Sequence, residues 1–164
     1  MFIANRDDGD TPSVVQPPPG ATDVDVAVGE ALPDFTLPDL AGNSVRLSDF
    51  RGRPVVLTFF ASWCHPCEEE MPLLEDAWTE HPDRFGVVAV SYDDLERDSH
   101  AFVERLGVTY PALIDVGDQV KDAYGVGAIP QTFFVDADGV LRDRVFGITS
   151  RDALDEPLDA LLDR

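Results

Sequence analysis

The stretch "PVVLTFFASWCHPCEEEMP", Pro54 to Pro72, joins an apolar run to a pair of cysteines and then to a charged segment. The run Pro54 to Ala61 is rich in β-branched and aromatic residues and reads as a buried strand. Beyond it, Cys67, Met71, Leu74 and Trp78 recur at the spacing of one helix face, so a helix is expected through Trp78. Both cysteines of the chain, Cys64 and Cys67, lie at the junction of strand and helix. The question is whether they hold a metal, staple the chain or react.

A structural zinc site needs four ligands, usually two such pairs or one pair with two histidines. No second pair exists, and His81 and His100 stand alone in polar stretches. As a staple, a disulfide across so short a loop removes little chain entropy, roughly 2 kcal/mol. A redox centre suits the pattern best. Cys64 would open the helix, where unpaired amides and the helix dipole favour the thiolate that attacks a disulfide. Cys67 comes one turn later on nearly the same face and can expel the product. Pro66 falls in the first turn, where its missing N–H costs nothing.

Working outward, Asp34 to Leu37 and Ser44 to Leu47 form a hairpin around Gly42-Asn43. "GVVAVSY" is a second buried strand. A helix is expected over Asp98 to Leu106, capped by Asp98 or Ser99. "YPALID" is a short strand, and Gln119 to Tyr124 a short helix. "QTFFVDADGVLRDRVFG" is a hairpin around Asp138-Gly139. Ser150 opens a last helix that Pro157 should delay or kink. Buried strands alternating with helices imply an α/β fold: a mixed, largely parallel sheet covered on both faces, with the hairpin at its N-terminal side.

At 164 residues the chain suits one domain. We expect a disordered proline-rich tether over 1–27, with Arg6 to Gly20 as its clearest part, and a globular domain over 28–164. Asp and Glu number 32 against 12 Lys and Arg, a net charge of −20, and Lys121 is the only lysine. Such a surface repels nucleic acid and anionic membranes and favours solubility or basic partners. No apolar run is long enough to span a membrane. The tether suggests an extracytoplasmic protein whose N-terminal anchor is absent from this chain; a cytoplasmic protein is the alternative.

"FFASWCHPCEEEMP" together with "GAIPQTFFVDADG" resembles the TlpA/ResA-like thiol–disulfide oxidoreductases of the thioredoxin fold. The resemblance runs from about Leu32 to Leu162. It includes the opening "LPDFTLPDLAGNSVRLSDFRG", an extension of the AhpC/TSA type that peroxiredoxins share. It implies a cis Ile129–Pro130 peptide beside the cysteines, where the substrate backbone pairs. A strand-opening proline is the plain reading of Pro130. The resemblance also implies an enzyme, monomeric and without a cofactor beyond a redox-active Cys64–Cys67 disulfide. It would reduce protein disulfides, including apocytochrome c during cytochrome c maturation. An upstream dithiol donor, such as a membrane thiol reductase, would recharge it.

Two positions depart from related patterns. Thioredoxins carry a buried aspartate six residues before the first cysteine; here Thr58 stands there and is no base at neutral pH. His65-Pro66 lies between the cysteines, and a protonated His65 would stabilise the Cys64 thiolate and make the pair more oxidising. An exposed, merely permissive histidine is the alternative.

A substitute for the missing base is sought among Glu68, Glu69 and Glu70. At about 100° per residue, Glu68 and Glu69 turn away from Cys67, whereas Glu70 returns to within about 60° of it. Glu70 also matches a glutamate of the ResA-like motif. It is therefore the expected proton acceptor or donor for Cys67, its pKa raised by partial burial. Glu68 and Glu69 read as partners of the helix dipole. Trp63, His65 and Pro66 are expected to border the substrate, Trp63 shielding Cys64. Trp78 reads as core. Asp93 and Asp94 end a strand at its carboxyl edge, where sites occur in α/β folds, but a solvated loop is the simpler reading. Pro72 should kink the helix.

Two other functions compete. Peroxiredoxins place their cysteine in Pro-x-x-x-Thr-x-x-Cys, but Ala61 occupies the threonine position. Copper-handling relatives use Cys-x-x-x-Cys with a distant histidine, and the spacing here is one residue short.

Overall fold

The computed structural model describes residues 26–164 together with the backbone of residues 13–14. Five strands form the main sheet: β4 (Val55–Phe60), β5 (Gly86–Ser91), β6 (Ala112–Leu113), β7 (Gln131–Val135) and β8 (Leu141–Phe146). Their order is β6-β5-β4-β7-β8. β4 runs parallel to β5, and β5 to β6, while β7 is antiparallel to both β4 and β8. The sheet is thus mixed and evenly divided rather than largely parallel. The hairpin of β7 and β8 turns at Asp138-Gly139, and a hairpin cannot run parallel.

Strand β4 is central because it can be buried on both faces. Val56 and Phe60 join Met71, Leu74, Phe102, Leu154 and Leu158 in one core cluster. These side chains come from β4 and from three helices, α1 (His65–Glu80), α2 (Glu96–Leu106) and α4 (Arg151–Leu162). Val55, Leu57 and Phe59 point the other way. They meet Val120 of α3 (Gln119–Ala123), Tyr124 and the N-terminal hairpin. The alternation of strand side chains therefore sorts one run of six residues into two cores.

The N-terminal hairpin pairs β2 (Phe35–Pro38) with β3 (Ser44–Arg46). It reaches the sheet edge through Ile114 N–H donating to Pro38 O at 2.9 Å. On the other side of β2 lies β1 (Ser13–Val14), within the segment expected to be a disordered tether. There the two backbones pair, Ser13 with Thr36 and Val14 with Phe35. Residues 1–12 and 15–25, the remainder of that expected tether, lie outside the described residues apart from Val26 and Ala27.

Helix α2 begins at Glu96, two residues before the expected start, with Leu95 in the cap position. The polar group is supplied from one residue earlier: Asp94 accepts from Leu95 N–H and Ser99 Oγ. Helix α4 begins at Arg151 with Ser150 Oγ accepting from Ala153 N–H, so Pro157 does not delay it. Helix α1 likewise continues past Pro72 to Glu80. Its partner turn is braced by the Tyr110 hydroxyl, which donates to Met71 O at 3.0 Å.

Phe59 is fully buried, with ring centroids 6.2 Å from Tyr124 and 5.6 Å from Phe133. Phe59→Ala is expected to lower stability by about 3–5 kcal/mol, as large core truncations do. Urea unfolding with the disulfide kept oxidised measures this. A loss below about 1 kcal/mol would mean that the second core does not depend on β4.

Candidate active site

Cys64 occupies the cap position of α1, with its backbone extended, and Cys67 lies in the first turn. The two are joined as a disulfide with Cα atoms 5.4 Å apart. Strand β4 delivers Cys64 to the sheet's carboxyl edge, where the chain turns through Ala61-Ser62-Trp63, and Cys64 N–H closes that turn on Ala61 O at 3.1 Å. Both cysteines are largely covered, lying in the core cluster with Phe60, Ala61 and Met71. Pro66 sits in the first turn, as expected.

Below Cys67 on the same helix, Glu70 is fully buried, more deeply than its sequence position suggested. Its carboxyl group accepts three hydrogen bonds. Thr58 Oγ1 donates to Oε1 at 3.2 Å, Thr132 Oγ1 donates to the same oxygen, and Ile148 N–H donates to Oε2 at 3.3 Å. Thr58 and Thr132 face each other across β4 and β7, so the sheet presents two hydroxyls side by side. Burial pushes the Glu70 pKa above the ordinary 4.5, against hydrogen bonds that favour the charged form. Thr58, read from sequence as the place where a base is missing, is a hydrogen-bond partner of the buried acid.

The Ile129–Pro130 peptide is cis, and Ile129 packs against the core cluster that contains both cysteines. Trp63 is exposed: its ring lies edge-on to Tyr92, and its indole N–H donates to Asp93 O at 2.9 Å. His65 is also exposed, 3.5 Å from Glu68. Glu68 in turn accepts from Arg105 of α2 at 2.7 Å, which holds its carboxyl below the ordinary value. It therefore clips α1 to α2, besides facing the helix dipole. Trp78 is half-buried against Tyr110.

Asp94 is the residue that the sequence reading passed over as loop. It accepts from Ser62 N–H and Ser62 Oγ, both at 2.8 Å, and from Ser99 Oγ at 2.7 Å. The turn that carries Trp63 and Cys64 is thereby fastened to the start of α2. The only available signal was an aspartate at the carboxyl edge of a parallel strand.

A mixed sheet with a disulfide at the helix cap and a cis-proline segment defines a thioredoxin-fold thiol–disulfide oxidoreductase. Residues 28–144 match the AhpC/TSA family. The "Thiol-disulfide oxidoreductase ResA" of Geobacillus thermodenitrificans is 38% identical over 137 residues, spanning 83% of this chain and 79% of that protein. The chain belongs to the AhpC/TSA family and, within it, to the ResA-like thiol–disulfide oxidoreductases. Among solved structures, a putative thiol:disulfide interchange protein DsbE from Chlorobium tepidum aligns with a TM-score of 0.78 at 31% identity, covering 84% of this chain and 99% of that one. A secreted Mycobacterium tuberculosis disulfide oxidoreductase homologous to E. coli DsbE aligns with a TM-score of 0.70 at 27% identity, covering 77% and 96%.

The raised pKa of Glu70 makes a stability prediction. The folded state holds this proton more tightly than the unfolded chain. The resulting stability is full below about 4.5 and is lost as pH rises through the higher folded value. Asp115, also raised by burial, adds a slope of the same sign. Urea midpoints across that window should fall less steeply in Glu70→Gln than in the parent protein, leaving the Asp115 share. Identical slopes would contradict the assignment.

Proposed function

We propose that this oxidoreductase reduces disulfides in other proteins outside the cytoplasm, with cytochrome c maturation as its setting and apocytochrome c among its substrates. The observation that carries the reading is the buried carboxyl of Glu70, one turn below Cys67 and bonded to Thr58. In the proposed cycle the Cys64 thiolate attacks one sulfur of the substrate disulfide, and the other sulfur leaves as a thiolate. Glu70 takes the proton of Cys67, and Cys67 then attacks Cys64. The second substrate sulfur departs, so two electrons have passed to the substrate and the chain holds the Cys64–Cys67 disulfide. A separate dithiol protein, a membrane thiol reductase in this reading, restores the reduced state. With no third cysteine in the chain, the substrate disulfide lies on another molecule. The cis peptide at Pro130, together with Trp63, His65 and Pro66, would border that substrate. Support for an extracytoplasmic place comes from the proline-rich N-terminal sequence and from the secreted structural relative. Among the described residues no helix is long and apolar enough to cross a membrane.

In Cys67→Ser, an oxidised protein substrate should remain trapped on Cys64 as a mixed disulfide. Glu70→Gln should slow resolution by about 10²-fold, the usual scale of general-base help, while Cys64 alkylation at neutral pH stays rapid. Unchanged resolution kinetics across pH would remove Glu70 from the mechanism. The pair's reduction potential should lie near that of thioredoxin, about −270 mV; a value near about −120 mV would reverse the direction of electron flow. Rapid peroxide consumption by Cys67→Ser would favour a thiol peroxidase instead.

A further inference from the structure

Asp94 bonds to the turn that delivers Cys64, and all of its bonds run one way. Its Oδ2 accepts from Ser62 N–H at 2.8 Å and from Ser99 Oγ at 2.7 Å. Its Oδ1 accepts from Ser62 Oγ at 2.8 Å and from Leu95 N–H at 3.0 Å. Four donors suit an ionised carboxylate, a group that only accepts. Ser62 is the second residue of the turn that Cys64 N–H closes on Ala61 O. The two ends of such a turn have Cα atoms within about 7 Å, so a charge held at its second residue is close to its fourth, Cys64. Asp94 is half-buried, and salt screens it less than a fully exposed charge.

The other charged groups around Cys64 are mostly engaged with one another. On α1, His65 stands 3.5 Å from Glu68, and Glu68 is bonded to Arg105 of α2 at 2.7 Å. Asp98 and Arg105 line a shallow cavity of about 320 Å³ with Ser62, but Asp98 is paired with Arg97 at 3.2 Å. Glu70 lies one turn below Cys67, where burial makes it hold its proton more tightly. Lys121, on α3, is separated from Trp63 by the Tyr92 ring. Asp93 is exposed and meets the turn through its backbone oxygen, which receives the Trp63 indole at 2.9 Å. Asp94 meets the turn with its carboxyl group, and among the described residues no cation pairs with it.

We infer that Asp94 is a positioning residue whose charge, held at the turn before Cys64, makes the cysteine pair more reducing. The Cys64 thiolate exists only in the reduced protein, whereas the disulfide carries no charge. A negative charge beside Cys64 therefore disfavours the reduced form against the disulfide, and the pair gives up its electrons more readily. The N-terminus of α1 and a protonated His65 act in the opposite sense. Asp94 offsets them, which reconciles a histidine between the cysteines with net reduction. It also keeps Cys64 from becoming too weak a nucleophile, since the best attacking thiol has a pKa near ambient pH. The inference rests on the reductant reading above and supplies an electrostatic cause for it.

Asp94→Asn tests this because it removes the charge and keeps most of the bonds. The amide oxygen can still accept from Ser62 N–H and Ser99 Oγ, and the amide nitrogen can donate to Ser62 Oγ. Only the exposed Leu95 N–H is left to water. In a Cys67→Ser background, the pH midpoint of Cys64 alkylation should fall by about half a unit to one unit in Asp94→Asn. With both cysteines present, equilibrium against glutathione at pH 9 should favour the reduced form of Asp94→Asn by up to about 10-fold, or about 30 mV. The gap should close towards pH 6, where both proteins hold thiols. Ser62→Ala, which loses a hydroxyl bond but keeps the charge, should leave the alkylation midpoint in place. If Asp94→Asn does not fold, Asp94→Glu and Asp94→Gln, alike except in charge, make the same comparison, with the lower midpoint expected in Asp94→Gln. An unchanged or higher midpoint on loss of the charge overturns the inference. So does a gap in potential that ignores pH, or a Ser62→Ala midpoint that moves as far as that of Asp94→Asn. The parent protein's absolute potential bears on the reductant reading, whereas the difference between parent and variant bears on this inference alone.

Discussion

The carboxyl group of Glu70 joins four pieces of the chain that are far apart in sequence. It belongs to α1, but its hydrogen bonds come from β4, from β7 and from the segment between β8 and α4. Buried carboxyl groups are costly unless their lone pairs find donors. Here two strands and one loop each supply one. The β4–β7 register places Thr58 opposite Thr132, and this pairing creates the double hydroxyl that α1 seats upon. Slipping β7 by one residue would turn Thr132 to the other face and leave the acid with a donor missing. The acid thus helps specify the register of the sheet as well as the position of the cysteines.

Much of the fold is legible in the sequence because its determinants are local and apolar. The uninterrupted apolar run Pro54 to Ala61 reads as a buried strand, and the Asp138-Gly139 turn marks the hairpin after Pro130. Helix geometry, together with the match to the ResA-like motif, separates Glu70 from Glu68 and Glu69, although its depth of burial is not legible there. That depth depends on Thr132 and Ile148, which come from distant sequence and have no local signature.

What escaped reading is polar and non-local. The start of α2 was sought at a polar cap, but the cap residue is Leu95, with Asp94 one step earlier bonding across to Ser62, 32 residues away in sequence. Nothing in either segment announces that bond. The pairing of Ser13 and Val14 with β2 was equally silent, since two residues carry no periodicity. It arises because β2 has a free edge once β3 has taken the other. Glu68 shows the same limit: a first-turn acid is an obvious dipole partner, but its clip to Arg105 needs α2 laid alongside.

Lys121 carries a practical consequence. It is the one side-chain amine among the twelve bases, the rest being arginine guanidinium groups. It stands over Tyr92, whose other neighbour is Trp63. Amine-directed chemistry on a side chain thus meets a single target, one aromatic ring, that of Tyr92, from the residue preceding Cys64. The protein carries, without any engineered handle, one address at which a fluorophore or a cross-linker would sit beside its redox centre.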